Sequence, residues 1–139
     1  MISKEIFIEE KLTMYLFLLK IFPNLKGYHL IKQAVKEIID DSTLKFNVCQ
    51  RLYVLLAQKL GEDEDIIDRA VRHAIDLSYC NMGITYFEEH TRSHFNVEKP
   101  SPRELFAGIS ALVEEGLEKF YSAENLNADR LEDMQEIEL

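Results

Sequence analysis

Arg69 and Arg72 stand three residues apart, with His73 directly after the second, a spacing that sets all three on one side of a helix. A guanidinium is the side chain best matched to the O6 and N7 edge of guanine, and an imidazole can donate to a phosphate or a base edge. Duplex DNA is therefore the partner these residue types suggest, with Asp68 beside them and Lys59, ten residues before Arg69, as a phosphate contact. An ordinary solvated face competes with that reading. Asp65 precedes Arg69 by four residues and Asp68 precedes Arg72 by four, the favourable order for intrahelical pairs worth about 0.2–0.5 kcal/mol each. Pairs that weak do not prevent the arginines from turning to a ligand.

The elements that must hold these side chains are legible as a spacing. Ala57, then Gly61 four residues later, then Ile67 ten after the alanine, place a small residue at a helix crossing, a glycine at the turn and an apolar residue on the docked face. That is the pattern of a helix-turn-helix at about residues 48–79, in which the second helix offers its outer side to the major groove. Any helical hairpin can supply the same three residues. The second helix, about 65–79, has Ile67, Ala70, Val71, Ala74, Ile75 and Ser78 on one side and Asp65, Asp68, Arg69, Arg72, His73 and Asp76 on the other. The helix before it carries Val48, Leu52, Leu55, Leu56 and Leu60 as an expected buried face. Between the two lie four acids, Glu62, Asp63, Glu64 and Asp65. Acids at a helix N-terminus are stabilised by about 0.3–1 kcal/mol each, but in this position they also repel a DNA backbone.

The rest of the chain predicts an all-α fold of about six helices. Five glycines and three prolines punctuate 139 residues, and apolar residues recur at three and four rather than at two. A first helix is expected over about 6–22, ended by Pro23, and a second over about 28–40, with Leu30, Ile31, Ala34, Val35, Ile38 and Ile39 as its apolar stripe. A short one is expected over 84–91. The sequence Ser101-Pro102-Arg103-Glu104 reads as a capping box opening a helix with Leu105, Phe106, Ile109, Leu112, Val113 and Leu117 inward. One domain over 1–121 is expected, followed at 122–139 by an acidic tail or terminal helix.

The net charge of −9 excludes nonspecific coating of nucleic acid or of an anionic membrane. Its distribution is uneven. Residues 1–60 carry nine bases and six acids, residues 61–139 seven bases and 19 acids, and residues 122–139 alone six acids against one arginine. Over residues 44–79 the balance is five bases to six acids. The apolar run 14–22 is interrupted by Lys20 and is too short to span a bilayer, so no membrane contact and a cytoplasmic location are expected. Cys49 and Cys80 are too isolated for a disulfide framework or zinc site and read as core or boundary thiols. His90 and His94 are four apart with Glu89 nearby but lack a third ligand, so they read as surface histidines; neither metal nor cofactor is expected. No Ser-His-Asp, Cys-His or phosphate-loop arrangement is present, which gives an enzyme no support.

Lys26-Gly27-Tyr28, the pair Leu52-Tyr53, Ala57-Gln58-Lys59, the run Asp68-Arg69-Ala70-Val71-Arg72-His73-Ala74-Ile75-Asp76 and then Lys99-Pro100 together resemble the C-terminal effector domain of the sporulation stage zero transcription factor A family, over roughly residues 16–117. The resemblance implies an all-helical domain whose helix-turn-helix binds a short promoter box, usually as adjacent copies. It carries the family's recognition-helix arginines and histidine onto Arg69, Arg72 and His73, and its glutamate onto the shorter Asp68. Two departures stand out: Ile66 stands where the family has a further DNA-contacting arginine, and Glu62 to Asp65 replace a turn containing Thr and Ser. About 25 residues precede Lys26, where the family's full-length protein has a phosphorylatable receiver, so control by phosphorylation is expected to come through another chain. Two functions follow. One is a transcription regulator reading duplex DNA with the helix 65–79; the other is a relative that keeps the fold without DNA affinity and acts by pairing, as a homodimer or with a full-length regulator.

Overall fold

Leu12, Leu16 and Leu19 recur at the helical interval and are all fully buried, so the N-terminal segment folds as a helix with one face in the core. A computed structural model describes residues 3–137, with side chains described as far as Leu126. Its α-helices are α1 (Lys4–Leu18), α2 (Lys26–Asp40), α3 (Tyr53–Leu60), α4 (Glu64–Cys80), α5 (Gly83–Thr91) and α6 (Pro102–Ile137), and no strand occurs among the described residues. A 3₁₀ turn at Ser42–Phe46 and a π turn at Val48–Leu52 lead into α3.

α2 lies at the centre, packed on α4 and α6, while α1 closes the core against α5 and α6. The expected stripe of α2 is buried at Leu30, Ile31, Ala34, Val35 and Ile38, with Ile39 half-buried at its edge. Each fully buried Leu or Ile contributes about 1.5–3 kcal/mol relative to exposure, so this face alone holds α2 in place. The capping box forms as expected: the Glu104 amide donates to Ser101 Oγ at 3.2 Å, and the Ser101 amide donates to Glu104 Oε1 at 3.3 Å. α6 runs past residue 122 without a break.

Three expectations need correction. α1 ends at Leu18 and not near Phe22, because Lys20 takes a left-handed conformation (φ 57°) and the Ile21 amide reaches back to the Leu16 carbonyl at 2.9 Å. This six-to-one bond is the Schellman closure, and it tucks Ile21 into the core. Leu60 is not part of a buried face: it is 49% exposed at the last residue of α3, and Leu55 is only half-buried. The residue that turns inward is Tyr53, edge-on to Phe106 with ring centroids 6.4 Å apart. Val48, Leu52 and Leu56 are buried as expected, and Leu60 falls outside because α3 ends there, one residue before the turn at Gly61. Cys49 and Cys80, finally, are exposed free thiols and not core residues.

Candidate nucleic-acid interface

The turn joining α3 to α4 is built from backbone geometry that its sequence requires. Gly61 sits in the left-handed region at φ 64°, and the Glu62 amide bonds to the Ala57 carbonyl at 3.2 Å, a second Schellman closure. A Cβ on Gly61 would meet nothing within 4 Å, so the glycine is there for its φ alone. Asp63 then caps α4, its carboxylate accepting from the Asp65 amide at 2.8 Å.

Once started, α4 is seated by Ile67, Val71, Ala74, Ile75 and Ser78, all buried, with Ser78 Oγ donating to the Leu19 carbonyl at 2.5 Å. The start of α2 presses against it. A Cβ on Gly27 would lie 2.5 Å from the Ala70 carbonyl oxygen and 2.7 Å from Ala74 Cβ. Two of the sequence signatures, Lys26-Gly27-Tyr28 and the run from Asp68 to Asp76, are thus halves of one contact.

This seating turns Asp65, Ile66, Arg69, Arg72, His73 and Asp76 to solvent, on the side opposite the core. Arg72 is fixed: its Nε donates to Asp68 Oδ2 at 2.8 Å, and that hydrogen bond first of all holds the guanidinium above its ordinary pKa. Arg69 and His73 have no side-chain hydrogen bond or ion pair among the described residues. Lys99, from the loop before α6, joins the same side and pairs with Asp76 at 3.0 Å. Only its tertiary placement reveals it, since it lies 23 residues from Asp76.

Lys59 is placed differently from the arginines. Its Nζ donates to Glu37 Oε1 at 2.7 Å, and Glu37 is buried on α2, where it also accepts from Gln33 Nε2 at 2.9 Å. The lysine thus ties α3 to α2. The four acids of the turn also divide by role. Glu62 pairs with Lys26, whose ammonium is the main cause of the lowered Glu62 pKa; Asp63 is the cap; Glu64 and Asp65 occupy the first turn of α4 and remain exposed. Ile66 is 40% exposed among them. His90 bonds the Tyr86 carbonyl through Nδ1 at 2.9 Å, whereas His94 lies beyond the end of α5 and faces Glu88 at 3.4 Å. The described residues contain no group of three or more His, Cys, Asp or Glu placed to hold a metal ion.

A hairpin closed by a left-handed glycine, with a second helix carrying two arginines and a histidine outward, is the arrangement that the spacing of Ala57, Gly61 and Ile67 predicts. The family described as "Sporulation initiation factor Spo0A C terminal" matches residues 13–113. The chain belongs to this family. It is a family of DNA-binding transcription-factor domains of sporulation and not of enzymes. The matched span takes in α2, α3, α4 and α5, the last six residues of α1 and the first third of α6, so Arg69, Arg72 and His73 lie within it. No helix among the described residues is long and apolar enough to cross a membrane.

Proposed function

We propose that this Spo0A-type domain regulates transcription in the cytoplasm by binding duplex DNA through the outer side of α4. Arg69 and Arg72 read base edges, His73 contacts a phosphate or a base edge, and Lys99 supports the same side. The observation that carries this reading is the outward display of Arg69, Arg72 and His73 on a helix whose opposite side is buried. Asp68, which the family resemblance placed among the DNA contacts, and Lys59, expected as a phosphate contact, serve the scaffold in this reading: Lys59 is tied to the buried Glu37 of α2, and Asp68 holds Arg72.

The test is fluorescence anisotropy with a duplex carrying the family's promoter box. Binding that exceeds binding to a scrambled duplex, and that falls on Arg69→Ala, supports the reading; equal binding to both duplexes refutes it.

A second reading is favoured by Glu64, Asp65 and Ile66, all exposed at the end of α4 that would approach the phosphates. Here the domain pairs with a full-length regulator and modulates it without touching DNA. Sedimentation of the mixed proteins separates the two: a heterocomplex that removes the regulator from its DNA supports this second reading, and no complex at micromolar concentration refutes it.

A further inference from the structure

Beneath the outer side of α4 lies a small polar cluster that the fold alone does not require. Tyr53 is buried at the start of α3, 2% exposed, and its hydroxyl has no hydrogen-bond partner among the described residues. Asp68 Oδ1 is buried and unpartnered in the same way, while Asp68 Oδ2 receives the Arg72 Nε hydrogen bond at 2.8 Å. The two orphans are neighbours: burial first, and then the Asp68 carboxylate beside it, push the Tyr53 phenol above its ordinary pKa. A phenol offers one donor and a carboxylate oxygen accepts, so each supplies what the other lacks. A buried polar atom left unpaired is costly, which favours closing this gap over leaving it open.

The consequence falls on Arg72. A guanidinium held through Nε keeps both terminal nitrogens free, and these form the fork that pairs with O6 and N7 of guanine. Arg69, without such an anchor, must be ordered when a ligand arrives. We infer that Tyr53 and Asp68 are positioning residues that pre-orient Arg72 as the base reader of α4, with the Tyr53 hydroxyl donating to Asp68 Oδ1 and Asp68 Oδ2 accepting from Arg72. Asp68 then touches no base itself, although it lies on the reading helix. Tyr53, in the preceding helix and out of reach of DNA, shapes specificity at one base pair. This inference rests on the DNA reading proposed above, and it assigns that reading an order: Arg72 discriminates, Arg69 adapts.

Two measurements on the full chain test it. In the first, the Arg72 Nε–H resonance is followed by ¹H–¹⁵N NMR without DNA. Slow exchange in the wild type, lost in Asp68→Ala and weakened in Tyr53→Phe, is expected; fast exchange in the wild type overturns the inference. In the second, affinities are measured across duplexes in which each base pair of the box is changed in turn. Arg72→Ala marks the base pair it reads by a loss of discrimination of roughly tenfold. Asp68→Ala and Tyr53→Phe should flatten discrimination at that same base pair, while affinity for a scrambled duplex stays equal or rises. Full discrimination in Asp68→Ala, or loss at a different base pair, overturns the inference. If the wild type does not prefer the box, the DNA reading falls, and the NMR measurement alone decides whether Arg72 is held as described.

Discussion

Gly27→Ala tests how α4 is seated. The added methyl would sit 2.5 Å from the Ala70 carbonyl oxygen and 2.7 Å from Ala74 Cβ, both short of the 3.4 Å at which ordinary van der Waals contact begins. The nearer atom is backbone and cannot rotate away, so α2 and α4 must separate. Overpacking of this kind costs about 1–3 kcal/mol, and a rigid obstacle belongs in the upper part of that range. Alanine returns up to about 0.8–1.0 kcal/mol of helix propensity, less in a first turn. The net loss is about 1–2 kcal/mol, which for a chain of this length lowers Tm by about 2–8 °C. Urea and thermal unfolding followed by circular dichroism measure it. A Gly27→Ala protein as stable as the wild type, or more so, would refute the close α2–α4 contact.

Other consequences follow from the same contacts. Lys59→Met leaves buried Glu37 with Gln33 as its remaining donor, so urea unfolding should show a loss of about 1–2 kcal/mol, while the salt dependence of DNA binding stays unchanged. Neutralising the exposed end of the reading helix by Glu64→Gln with Asp65→Asn should raise duplex affinity at low salt and matter little at high salt; anisotropy at two ionic strengths checks this. Glu9 accepts from Lys32 and pairs with Lys36, and the lysines hold its pKa below the ordinary 4.5. Its folded-state pKa is the lower one, so its contribution is full above 4.5 and is lost as pH falls through the folded value. Stability measured in urea should therefore decline from about pH 4.5 downward, and Glu9→Gln should flatten that acid limb.

Much of this architecture is legible in the sequence where a single residue carries a local signal. Gly61 announces the left-handed turn, Ser101 and Glu104 announce the start of α6, and the alternation of Ile67, Val71, Ala74 and Ile75 with charged neighbours announces the two sides of α4. The misreadings occur where geometry has no residue-level marker. A lysine closes α1 at a left-handed position, and nothing about Lys20 advertises a conformation that costs most residues about 1–2 kcal/mol. Leu60 is exposed because α3 ends on it, and Tyr53 joins Leu52 and Leu56 inward beside Phe106, a partner that only the tertiary fold supplies. The reading face shows the same division. Arg69, Arg72 and His73 stand where periodicity puts them, because α4 is regular. Lys59 turns away because its partner, Glu37, comes from a helix 22 residues distant in sequence, a pairing that only the tertiary fold creates.

The claim that the outer side of α4 reads DNA is tested most directly by competition between the promoter box and a scrambled duplex for the wild type and for Arg69→Ala with Arg72→Ala, at one fixed low salt concentration. The account predicts a clear preference for the box in the wild type and none in the double variant, with residual salt-sensitive binding to both duplexes. A wild type that holds the two duplexes equally, or a double variant that keeps the full preference, would contradict it.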